Sequence, residues 1–243
     1  PLWMIDSHIE WKTIYSEKSS GRLDVAFNSR NVEFYIVRQD QVDVLDAVSG
    51  KKNKFLVTGG FPAMEHPEHL VYDTLTNRLF SYSLYDKLSS YMSVETGKWS
   101  LNKRHPDESR HYNHARIFNP ADSSFYFFGG YGFYQYRNEL YRLKVNTGEL
   151  SEVKYSPSLD SRYSSSLAVV GDELFIFGGR GNKRGKQEFN SYFYYELCAI
   201  NLKTGDSRRL WKNGNSNDMM IMASSMYFEP SDSSFYAVSL KDG

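Results

Sequence analysis

The chain writes one phrase twice. "SSFYFFGGYG" at residues 123–132 is a run of aromatics ending in two glycines, and "DELFIFGGRG" at 172–181 says nearly the same thing. From Phe128 to Phe177 the distance is 49 residues. Self-similarity at a period of this size belongs to chains that stack like units, since one unit alone cannot cover its own apolar face. The fold must therefore be built from repeats.

Two markers keep step along the whole sequence. Strands centred on Tyr35, Phe80, Tyr126, Phe175 and Tyr236 recur at intervals of 45, 46, 49 and 61 residues. Turns of the type "SVETGK" and "KVNTGE" place Gly50, Gly97, Gly148 and Gly205 at intervals of 47, 51 and 57. Each period splits into four short segments separated by turn residues, which predicts four antiparallel strands, a to d. In the third period these are "HARIF", "FYFF", "NELYRLKV" and "ELSEVKY". Four strands in roughly 50 residues is a propeller-blade signature. No amphipathic segment carries helix caps at credible length.

The glycine pairs Gly129-Gly130 and Gly178-Gly179, the following "NELYRLKVNTGEL" and "YELCAINLKTGDS", and Arg110 and Arg162 just ahead of strand a together resemble kelch repeats. Trp99 stands at the kelch tryptophan place, whereas Leu150 replaces it in the next repeat. The resemblance implies an all-β, kelch-like β-propeller of four-stranded antiparallel blades in one domain; kelch propellers more commonly have six or seven blades, whereas counting the a–b strand pairs here gives about five, with a piece of a larger ring as the rival reading. Full blades are expected over 22–57, 69–103, 113–155 and 164–212. A closing blade would combine N-terminal strands c and d (1–15) with C-terminal strands a and b (224–240), removing exposed sheet edges.

Composition narrows the function. Lys and Arg total 29 and Asp and Glu total 29, so no net field draws the chain to nucleic acid or anionic lipid. Cys198 is the one cysteine, which excludes an internal disulfide and a cysteine-based zinc site and leaves the compartment open between cytoplasm and bacterial periplasm. No run of 18 apolar residues occurs, so no membrane-spanning helix is expected. "PLWMIDSHIE" carries no signal-peptide pattern.

Alternating strand direction puts the d–a and b–c connections at one end of every blade. These are the long ones: 58–68, 104–112, 156–163 and 213–223 between blades, with 130–137 and 179–193 inside them. Long loops on a rigid scaffold commonly carry binding. The candidate binding residues on them are His66, His69, Arg110, His111, Tyr131, Tyr134, Tyr136, Arg162, Tyr163, Arg180, Lys183 and Arg184. Phe133 joins the tyrosines of 131–136 in an aromatic cluster suited to a protein hot spot or a sugar face. His66/His69 and His111/His114 have a spacing at which imidazoles can share a metal, but they sit in loops without cysteine partners, and neither a metal nor a cofactor is expected. The reading is a non-catalytic module that recognises a protein or glycan. Two alternatives stand beside it: a sugar-acid epimerase-like enzyme on the same scaffold, and a sensor or assembly domain of a longer polypeptide. A copper oxidase of the galactose-oxidase kind is disfavoured, because Cys198 lies within a strand, away from the loops.

Overall fold

The computed structural model describes residues 13–18, 23–38, 41–58, 69–83, 88–100, 103–104, 111–213 and 219–240, and among them every regular element is a β-strand. The first sheet runs β1 (Asp24–Asn28), β2 (Glu33–Val37), β3 (Val42–Asp46), β4 (Lys52–Phe55). The second runs β5 (His69–Asp73), β6 (Arg78–Ser83), β7 (Leu88–Ser93), β8 (Lys98–Trp99), with β9 (Lys103–Arg104) also on β7. The third is β10 (Ala115–Asn119), β11 (Ser124–Gly132), β12 (Gln135–Lys144), β13 (Glu149–Val153). In the fourth, β14 (Ser161–Val170), β15 (Glu173–Asn182), β17 (Glu196–Asn201) and β18 (Ser207–Lys212) follow in order, and β16 (Tyr192–Phe193) pairs with β15. All are antiparallel meanders of the expected blade type. A fifth a–b hairpin follows, paired in two patches: β19 (Ile221–Met222) with β22 (Ser239–Leu240), and β20 (Tyr227–Glu229) with β21 (Ser234–Tyr236). The chain divides into two compact units, one made of 1–63, 68–81 and 91–101, the other of 64–67, 82–90 and 102–243.

Turn chemistry explains the repetition. Asn28, Asp73 and Asn119 each end strand a, and each side chain accepts a hydrogen bond from the backbone N–H two residues on, at 3.0, 2.9 and 3.1 Å. That Asx turn starts the reversal into strand b. The a–b turn then docks on the end of strand c: Ala47 N–H donates to Val32 O, Val145 to Ser123 O and Leu202 to Asp172 O. At the c–d turns Gly50, Gly97, Gly148 and Gly205 all have φ between 63 and 78°, where a side chain is disfavoured.

Three of those glycines also receive the chain segment that precedes their sheet. A Cβ on Gly97 would lie 2.1 Å from Leu56 O, one on Gly205 2.8 Å from Lys154 O, and one on Gly50 2.8 Å from Ile14 O. Leu56 and Lys154 follow strands β4 and β13 closely, and Ile14 takes the corresponding place before the first sheet. Residues 13–18 form no strand, unlike the expected strand d ending at 15, while residues 1–12 lie outside the described residues.

Alternation puts one face of each strand into a core. In the first unit Ala26, Tyr35 and Val42 pack with Leu70, Leu79 and Met92. In the second, Phe128 and Leu140 pack with Leu167, Leu174, Ile176 and Cys198. On its other face the fourth sheet packs Ala168 and Phe177 against Met222 and Met226 of the fifth hairpin. Fully buried rings such as Phe125 and Phe128 each contribute on the order of 2–3 kcal/mol by removal from water.

Candidate functional site

The glycine pairs let two strands outrun this core. At Phe128 the pairing of β11 with β12 shifts register, then resumes as Gly130↔Arg137, Tyr131↔Tyr136 and Gly132↔Gln135. Gly129 takes φ 70°, and a Cβ there would sit 2.3 Å from the Arg162 carbonyl oxygen. Gly179 takes φ 95°, with a Cβ 2.9 Å from Tyr163 O. Only a residue lacking Cβ both turns this way and admits the neighbouring backbone. The segment expected as a b–c loop at 130–137 is therefore mostly strand, prolonged by a bulge and closed by a two-residue turn.

Arg162 locks the base of this extension. Its guanidinium is fully buried: Nη2 donates to Glu196 Oε1 at 2.6 Å, Nε to Asp160 O at 3.0 Å and Nη1 to Gly178 O at 3.3 Å. The Tyr194 ring lies 3.9 Å from Arg162 Cζ. Burial drives the Tyr194 phenol well above its ordinary range. The Cys198 thiol, 3.7 Å from Glu196 Oε1, is pushed by burial to about 11 and stays protonated at neutral pH. His114 is equally enclosed. Its Nδ1 lies 2.7 Å from His111 O and its Nε2 3.1 Å from the Tyr82 hydroxyl, and burial lowers it to about 3, so the ring is neutral.

Beyond the base, rings take over. Tyr136 and Tyr163 stack at 5.8 Å with a 4° interplanar angle, and Tyr131 leans on both at 5.6 and 6.0 Å. Burial, then the neighbouring phenols, raises the Tyr131 phenol. Tyr131 also exchanges two backbone hydrogen bonds of 2.8 Å with Tyr112 on the d–a connection. The turn itself is Phe133-Tyr134, at φ 51° and 61°. Positive φ at both central residues is the type I′ requirement, which Asn-Gly meets without strain and two aromatics do not. Phe133 is 54% exposed and Tyr134 78%. Two costly rings stand in solvent.

The b–c connection of the fourth sheet clasps this tip. Tyr136 N–H donates to Gly185 O at 2.7 Å, and Gln187 N–H to Tyr134 O at 3.0 Å. Asn182 Nδ2 donates to the carbonyls of Lys186 and Phe189, fixing the clasp in turn. An open groove of about 530 Å³ results, lined by Phe133, Tyr134, Gln135, Lys186, Gln187 and Glu188. Lys186 Nζ lies 3.7 Å from Glu188 Oε1, so the two charges offset each other locally. The Tyr131 hydroxyl donates to Gln187 Oε1.

The sequence-predicted residues divide into four groups. Tyr131, Tyr134, Tyr136 and Tyr163 come together at the tip. Arg180, Lys183 and Arg184 are exposed beside it, where Arg180 stacks on Phe193 at 5.3 Å and donates to Ser191 Oγ, and Arg184 lies 4.3 Å over Phe189. Arg162 and His111 are buried, 0% and 4% exposed, and serve the scaffold beneath, His111 Nδ1 lying 2.9 Å from Gly129 O. His66 and Arg110 fall outside the described residues, and His69 opens β5. Among the described residues no three His, Cys, Asp or Glu side chains gather as a metal site. Gln135, Gln187 and Glu188 were not foreseen, and no signal in a single sequence joins 135 to 186–188. A scan against protein-family models finds no match, and a search of curated proteins finds no relative.

Proposed function

We propose that the chain is a non-catalytic recognition module, a kelch-like β-propeller of about five blades that holds a protein or glycan at the β11–β12 tip. One observation carries the reading. The two-residue turn spends left-handed backbone, of order 1–2 kcal/mol per residue, on Phe133 and Tyr134, and both rings stay exposed. At 54% and 78% exposure both rings keep open surface for a ligand, and recognition gains two aromatic contacts at one point. The tip is firm enough to use, since backbone bonds from 185–187 and Tyr112 hold it on two sides.

The double replacement Phe133→Asn with Tyr134→Gly separates folding from recognition. It supplies the relaxed turn, so the variant is expected to unfold later than wild type by about 1–2 kcal/mol in urea. Glycan and protein arrays probed with both chains give the second readout. Ligands kept by the wild type and lost by the variant support the tip, while identical array profiles place recognition elsewhere. A destabilised variant would mean that the rings serve the fold.

A further inference from the structure

From the chemistry of its walls we infer that the groove between Phe133-Tyr134 and Lys186–Glu188 binds a neutral oligosaccharide, an inference that rests on the tip being the recognition surface. Charge gives the first reason. Lys186 and Glu188, the two charged residues of the lining, stand 3.7 Å apart and offset each other, so the lining itself carries no net charge, while the exposed Arg180, Lys183 and Arg184 stand outside it.

Hydrogen bonding gives the second. Gln135 and Gln187 are the remaining polar lining, and a side-chain amide donates and accepts at once, which is what vicinal hydroxyls need. Tyr131 donates to Gln187 Oε1, which orients that amide with Nε2 left to donate to a ligand. Exposed aromatic faces supply the apolar share, since the C–H face of a pyranose packs on a ring as other apolar surfaces do.

Main-chain groups give the third. An extended peptide joining a sheet needs open backbone donors and acceptors. At this tip Tyr136 N–H, Gly185 O, Gln187 N–H and Tyr134 O are already paired with one another. With these groups closed, the side chains of the lining are left to do the reading. At about 530 Å³ the groove falls within the range of small-ligand clefts.

Saturation-transfer NMR and titration with maltotriose, cellotriose, triacetylchitotriose and sialyllactose test this on the wild type, the Phe133→Asn/Tyr134→Gly pair and Gln187→Leu. Expected is millimolar or tighter binding of at least one neutral probe, with ring resonances of Phe133 or Tyr134 shifted. That binding should weaken roughly tenfold or more in the double variant and several-fold in Gln187→Leu. Tyr227→Ala, altering an exposed ring on the fifth hairpin, should leave it unchanged. Preference for sialyllactose overturns the charge argument. No neutral probe bound, with array proteins still lost by the double variant, overturns the saccharide but keeps the tip. Neutral binding that survives the double variant overturns both.

Discussion

The second hairpin connection of the first sheet and that of the third start from equivalent strands and end differently. In the first sheet β2 and β3 have five residues each, and beyond them Arg38 N–H donates to Gln41 O at 2.8 Å. In the third sheet β11 has nine residues and β12 ten. Aligning Tyr35 with Tyr126 sets Arg38 opposite Gly129. The arginine pairs with Asp43 at 2.6 Å and with Glu17 where the ladder ends, whereas the glycine bends the strand past a neighbouring carbonyl and the strand runs on. Reach beyond the core, and with it the aromatic tip, starts at a glycine pair where the short hairpin has Arg38.

A side chain at Gly129 should do the extended hairpin the most harm. Gly129→Ala combines a left-handed backbone with a 2.3 Å approach to Arg162 O, a backbone atom that cannot swing aside. A loss of about 3 kcal/mol or more is expected. Gly171→Ala is the matched control, with φ 60° and nothing within 4 Å of the new Cβ, and should cost only about 1 kcal/mol. Urea unfolding of the two side by side decides. Equal losses would show that backbone conformation alone matters and that the close approach does not.

Acid should also weaken the extended hairpin's footing. His114 lies under the extended hairpin against Tyr82, Phe127 and the His111 carbonyl, with Arg116 nearby, and titrates at about 3 in the folded chain against 6.5 in the unfolded one. Between those values the unfolded state binds a proton that the folded state refuses. Stability from this group is therefore complete above pH 6.5 and falls as pH drops toward 3, by about 1.4 kcal/mol per unit. From pH 7.5 to 5 the loss should be about 2 kcal/mol. His114→Gln should flatten that slope, and a wild type equally stable at both pH values would remove His114 as its cause.

How much of this was legible follows from what each feature depends on. The five aromatic strands, the c–d glycines and the antiparallel order are set by local spacing and turn chemistry, and residues such as Tyr126 and Gly205 declare them directly. The Asx turns at Asn28, Asp73 and Asn119 repeat at 45 and 46 residues and could have served as a third marker. The extension of β11 and β15 was hidden because Gly-Gly reads as a strand end unless the neighbouring backbone that passes beside it is known. The turn at Phe133-Tyr134 was hidden because neither residue is a type I′ residue by preference. The groove was least legible of all: Gln135 and Gln187 are 52 residues apart, and only the clasp joins them.

The first sheet carries backbone strain of its own. Val32 closes its a–b turn at φ 55°, where the equivalent residues of the second and third sheets are Asn77 and Ser123 at 55° and 52°. A β-branched side chain is the poorest occupant of that conformation, and Asn the best after Gly. Val32 is 41% exposed, so replacement removes little packing. Its backbone carbonyl, which accepts from Ala47 N–H, is kept by any residue. Val32→Asn should therefore stabilise by about 1 kcal/mol in urea unfolding. Strain at Val32 and strain at Phe133-Tyr134 would then differ in kind: relieving either should raise stability, but relief at Val32 should leave the array profile intact. A Val32→Asn chain that loses the same ligands as the turn variant would move recognition off the tip, because the first sheet supplies none of the residues that line the groove.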